Sequence, residues 1–72
     1  MMPKFKYITI SVDDELYNDH LTYLISNNKN GDWLGNIFFD SYWNRYVSNF
    51  NGKAVFSPDC LLDIAGFMKE LK

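Results

Sequence analysis

Cysteine occurs once and histidine once in this chain of 72 residues. The lone Cys60 excludes a disulfide within the chain. The lone His20 means that any Ser-His-Asp or Cys-His pair must use that one ring. Bases are few and scattered, as Lys4, Lys6, Lys29, Arg45, Lys53, Lys69 and Lys72, against nine acids, for a net charge of −2. No basic stripe forms, so phosphate-driven binding to double-stranded nucleic acid is not expected. No apolar run approaches the roughly 18–20 residues of a membrane helix. The opening MMPKFKYITI lacks the long apolar core and small-residue cleavage site of a secretory signal. A cytoplasmic setting without a membrane partner is the expectation.

Recognisable chemistry is equally sparse. Asp13, Asp14, Glu15, Asp19 and His20 match neither the Ca²⁺ loop of an EF-hand nor a two-histidine zinc pattern, and they read as a solvated acidic loop. Gly31 and Gly35 flank no lysine and precede no helix, so they make no phosphate loop. Cys60 falls near a helix N-terminus, where a thiol pKa can drop, but it lies on an apolar stripe and reads as a small buried hydrophobe. No metal, no cofactor and no catalytic residue is assigned, and the chain is expected not to be an enzyme.

Aromatic residues, by contrast, are abundant at 18% of the chain, which excludes a disordered class. Seven of the twenty residues from Gly31 to Phe50 are rings. A chain of this length forms one domain, residues 1–72, with a small core. Alternation predicts strands over about 5–12, 20–26, 32–40, 42–50 and 53–56. The segment 13–19 is an acidic connection with room for one helical turn. Asn30-Gly31 and Asn51-Gly52 are hairpin signals. Gly35, in mid-strand, marks a bulge or a close backbone approach.

The last segment, SPDCLLDIAGFMKELK, predicts a helix over about 58–71. Ser57 is a favourable N-cap, and Pro58 stands at the first helical position. Cys60, Leu61, Ile64, Ala65, Phe67, Met68 and Leu71 form its apolar stripe. Gly66 sits inside the helix, where it costs about 1 kcal/mol against alanine; either that loss is tolerated or a partner backbone approaches there. The expected fold is α+β: an antiparallel meander of four to five strands with one C-terminal amphipathic helix packed on one face.

One helix covers one face of a sheet, and neighbouring strand residues point to opposite faces. Phe38 and Phe39 therefore cannot both face the helix, and some rings fall on the uncovered side, where an apolar patch marks a contact surface. Ile8, Ile10, Leu34, Phe38, Tyr46 and Phe56 are expected to pack on the helix. Trp33, Phe39, Trp43 and Arg45 are expected on the open side as the binding surface, since Trp, Tyr and Arg dominate binding hot spots.

The segments LGNIFFDSYWNRYVSNF and VFSPDCLLDIAGFMKELK carry a further pattern. It runs Leu34-Gly35-x-Ile37-x-Phe39, then Trp43-x-x-Tyr46, then Phe56, Cys60-Leu61-x-Asp63-Ile64 and Phe67-Met68-x-x-Leu71. It resembles a class of very small, uncharacterised proteins encoded by phages and bacteria, with a strand meander and a final helix. The resemblance covers about the C-terminal two-thirds of the chain and rests on structural residues. It implies an accessory protein of a mobile element that acts by binding something. The small size, the missing catalytic set and the surplus rings add the expectation of a non-enzymatic protein that modulates or inhibits a host protein. A protein partner is therefore expected. A small domain with an open aromatic face gains most by pairing it, so a homodimer or higher homo-oligomer through the open sheet face or an edge strand is expected as well. The alternative is an oligomer that sequesters a nucleotide-like small-molecule ligand between rings and Arg45.

Overall fold

A computed structural model describes residues 4–71. Four strands, β1 (Ile8–Tyr17), β2 (His20–Asn27), β3 (Trp33–Asp40) and β4 (Arg45–Phe50), precede one helix, α1 (Pro58–Lys69). The strands form one antiparallel sheet in the order β1-β2-β3-β4, so every connection within the sheet is a hairpin. The architecture is the α+β meander with a C-terminal helix that the alternation and the helical stripe imply.

The acidic segment is strand rather than loop. β1 continues to Tyr17 and turns into β2 through Asn18 and Asp19, with φ of 52° and 63°. Two successive positive φ angles make a two-residue turn whose twist suits a hairpin, and Asn and Asp tolerate that region best. β1 carries two extra residues, Asp14 and Glu15, between its pairings Asp13–Thr22 and Leu16–Leu21. The buried Thr22 hydroxyl donates to the Glu15 carbonyl at 3.0 Å, which satisfies the interrupted ladder. At the other end, residues 4–7 do not extend β1. Phe5 N–H donates back to Ile8 O, and Asn28 donates to Tyr7 O through its backbone and to Phe5 O through its side chain.

Two further boundaries differ from the alternation. Residues 42–44 belong to a turn, because Asp40 Oδ2 accepts Trp43 N–H at 3.1 Å and Asn44 takes φ 55°. Residues 53–56 form no strand. Ala54 N–H donates to Asn51 O and Lys53 N–H to Asn51 Oδ1, so the chain turns at Asn51-Gly52-Lys53. Phe56 then meets Phe50, with centroids 4.7 Å apart, on the way into the helix. The Ser57 hydroxyl caps α1 by accepting Cys60 N–H.

The core consists of Ile8, Ile10, Tyr23, Ile25 and Ile37 from the sheet and Cys60 and Ile64 from the helix, with Phe5, Leu34, Tyr46, Phe56, Phe67, Met68 and Leu71 packed around it. Burial of each large aliphatic chain contributes about 1.5–3 kcal/mol. The helical stripe is narrower than its apolar residues suggest, since Leu61 and Ala65 are exposed. Gly66 is exposed too, with no atom near the position of an added Cβ. Nothing among the described residues therefore requires the glycine.

Leu34 explains why the faces of β3 were misassigned. Ile25 pairs with Gly35 while Ser26 pairs with Trp33, so Leu34 is an extra residue in a bulge. The bulge lets Leu34 pack at the core margin and breaks strict alternation. Counting from Leu34 puts Phe38 toward the helix; counting from the buried Ile37 puts Phe39 there. The structure follows Ile37. Phe39 shares the helix side with its register partner Tyr46. Phe38 stands on the opposite face, edge-on to Tyr17 at 5.4 Å.

The uncovered face is accordingly not an aromatic platform. By register it presents Thr9, Ser11, Thr22, Ser26, Asn36 and Asn49, with the charged Asp13, Asp40 and Arg45, beside Leu24, Phe38 and Val47. Asn36 Oδ1 is buried there without a hydrogen-bond partner.

Candidate functional site

The β1–β2 turn, the β3–β4 turn and the C-terminal end of α1 gather at one end of the sheet. Asn18 of the first turn donates its amide to Phe39 O, the penultimate carbonyl of β3, at 3.0 Å. A cleft of about 430 Å³ opens at this end, between Phe39, Asn44, Arg45 and Tyr46 of the sheet and Met68, Lys69 and Leu71 of the helix.

The floor of the cleft is a fixed cluster of rings. His20 stacks on Phe39 with centroids 3.8 Å apart and planes 7° from parallel. Tyr46 stands edge-on to both, at 5.6 Å from Phe39 and 6.1 Å from His20. Behind them Tyr23 contacts Tyr46 and Phe67. Edge-to-face pairs of this kind contribute roughly 0.5–1.5 kcal/mol beyond the area they bury.

Hydrogen bonds lock the cluster. His20 Nδ1 lies 2.6 Å from Asn18 O; a carbonyl only accepts, so Nδ1 carries the proton. The Tyr46 hydroxyl donates to Leu21 O at 3.2 Å. Burial, and then the nearby Tyr23, raise the Tyr46 pKa above its ordinary value. The phenol therefore stays a donor at every pH below its unfolded value of about 10.

The four residues singled out from the sequence separate into three places. Phe39 and Arg45 line the cleft. Trp43 stands on the adjoining turn, 65% exposed, beside Tyr42 at 92%. Trp33 begins β3 at the far end of the sheet, roughly 23 Å away along the strand. It is half-exposed, and its carbonyl accepts the Asn51 side-chain amide. Trp33 therefore shares no surface with the other three.

Sequence reasoning missed His20, Tyr42, Met68 and Lys69. The sequence suggests His20 only as a catalytic partner or a metal ligand, whereas its ring supports Phe39. Tyr42 was placed inside a strand; the signal against that was Asp40 four residues before Asn44, the two residues that fix the turn. Met68 and Lys69 join the site only once the helix is laid on the sheet, a placement no local pattern encodes.

The electrostatic character of the cleft differs from that of the chain. Its charged lining residues are Arg45 and Lys69, with no acid among them, although the whole protein is net negative. Asp40 pairs with Arg45 in register, but its Oδ2 holds Trp43 N–H. No ion pair within 4.0 Å forms among the described residues.

No group of three or more potential metal ligands occurs among the described residues. No helix there is long and apolar enough to cross a membrane. Compared with known proteins, the chain matches no family model, no curated protein and no solved structure.

Proposed function

We propose that this chain acts by binding a protein partner through the β3–β4 turn, as a non-enzymatic interaction protein. The observation that carries this reading is the pair Tyr42 and Trp43, both largely in solvent on a turn fixed by Asp40 and Asn44. Neither ring contributes to the core. Trp and Tyr on a preorganised turn offer large contact area with little conformational entropy to lose. The employment of His20 in a stack and of Cys60 in the core supports binding rather than catalysis.

The resemblance of the C-terminal two-thirds to small phage and bacterial proteins supports a finer reading. In it the chain is a mobile-element accessory protein in the cytoplasm that modulates or inhibits a host protein. Affinity capture from bacterial lysate with the wild-type chain and with Trp43→Ala tests the reading. The expected result is a partner retained by the wild type and lost by the variant, at unchanged thermal stability of the bait. Equal capture by both chains would reject the turn as the contact.

Self-association belongs to the same proposal, through an edge rather than a face. The open face is largely polar, and the β1 edge is interrupted by Asp14 and Glu15. The β4 edge is six residues long with Arg45 as its one charge, so a second copy can add there without bringing like charges together along the strand. Light scattering over a wide dilution series should find a dimer at high concentration. A monomer throughout would remove this part.

A further inference from the structure

We infer that Asn30 is a site of spontaneous covalent modification, by cyclisation onto Gly31 and deamidation, and that the fold shields the second Asn-Gly pair, Asn51-Gly52, from the same reaction. This goes beyond the partner-binding reading and does not rest on it, because neither pair lies in the turn between β3 and β4.

The reaction needs no enzyme and no co-reactant other than water. The backbone nitrogen of the glycine attacks Cγ of the asparagine. An N–Cγ bond forms, the Cγ–Nδ2 bond breaks, and ammonia leaves with the proton that the glycine nitrogen gives up. Water then opens the cyclic imide to aspartate or isoaspartate. Glycine favours the attack because no Cβ crowds its nitrogen. Negative charge develops on Oδ1 during the attack, and a backbone N–H aimed at that atom stabilises it.

Both pairs hold such a donor. Asn30 Oδ1 accepts Asp32 N–H at 2.9 Å, and Asn51 Oδ1 accepts Lys53 N–H at 3.2 Å. They differ in what must break before Cγ reaches the glycine nitrogen. At the exposed Asn30 that is one bond, from Gly31 N–H to Asn27 O at 2.7 Å. At Asn51 three bonds fix the residue itself. Its N–H donates to Leu34 O at 2.8 Å, its carbonyl accepts Ala54 N–H at 2.9 Å, and its Nδ2 donates to Trp33 O at 3.2 Å. The group that must leave is thus one of the anchors to β3. Deamidation of Asn51 requires this end of the sheet to open first. It then puts a carboxylate oxygen where an amide donor faced Trp33 O, so the anchor cannot re-form and the opening leaves a permanent mark.

Peptide mapping by mass spectrometry tests the inference on the full chain aged in mildly alkaline buffer, folded and in denaturing urea. In the folded chain Asn30 should convert at least about tenfold faster than Asn51, the effect of two additional hydrogen bonds to be broken. In urea the two rates should converge, chiefly by acceleration at Asn51. Asn30→Gln lengthens the ring to be closed and should remove the fast conversion while the unfolding midpoint stays at the wild-type value. Equal rates in the folded chain, a faster Asn51, no conversion at Asn30, or a ratio unchanged by urea would overturn the inference.

Discussion

Replacing Gly35 with alanine is expected to destabilise the fold by about 3 kcal/mol, the upper range for forcing extra volume into a packed site. Gly35 pairs with Phe50. A Cβ at Gly35 would fall inside contact distance of the Asn49 carbonyl oxygen, with Phe50 Cα and a Phe50 ring carbon both at 3.1 Å. Backbone cannot yield as the end of a flexible side chain can. The position lies between a bulge on the β2 side, at Leu34, and the Phe50 ring on the β4 side. The two carbonyls of the bulge are held from outside, Trp33 O by the Asn51 amide and Leu34 O by Asn51 N–H. A shift of β4 to admit the methyl group would disturb both bonds. Gly66→Ala should have the opposite sign, raising stability by about 1 kcal/mol, because that site is helical, exposed and empty around the would-be Cβ. Urea unfolding of the two variants beside the wild type measures both. A Gly35→Ala midpoint within error of the wild type would show that β4 does not approach β3 this closely.

Ile37→Ala should cost about 3–4 kcal/mol, in the range of large-to-small substitutions at fully buried sites. Ile37 is completely buried in an inner strand, between Tyr23 on β2 and Ser48 on β4. The helix closes over it and neighbouring backbone cannot collapse into the gap, so the cavity term adds to the lost transfer energy. Domains of this length hold roughly 4–10 kcal/mol in all, so the substitution removes a large share of the total. Phe38→Ala deletes more atoms, yet should cost less than half as much. Phe38 lies on the uncovered face with Tyr17 as its aromatic neighbour. Denaturant midpoints of the two variants would rank the faces. A larger loss at Phe38 than at Ile37 would contradict the assignment of the helix to the Ile37 side.

The contrast between these neighbours shows what the sequence could reveal and where it stopped. Helix α1 was legible almost entirely, since Ser57, Pro58 and the apolar spacing act locally. The existence of β1 to β4 was legible from alternation, and the irregularity at Gly35 from a glycine among β-branched and aromatic residues. The face of β3 was not, because a bulge is a relation between two strands. Leu34 looks like any other alternating residue until its pairing with β2 is known. The Asp40–Asn44 turn was partly legible in its residue types, but alternation of the following rings masked it. Of the candidate site, Phe39, Trp43 and Arg45 were found as residue types suited to binding. Their separation from Trp33, and the arrival of Met68 and Lys69 beside them, depend on contacts distant in the chain.

The order of elements also fixes what the ribosome releases first. All four strands are synthesised before α1, and each can pair with its predecessor as soon as it emerges. Hairpin closure of this local kind is fast. Ile8, Ile10, Ile25 and Ile37, however, have no helix over them until residues 58–69 have been made. The nascent chain thus passes through a stage in which a paired sheet offers a bare apolar face, the kind of surface on which aggregation begins. A chain stopped before Ser57 is fixed at that stage.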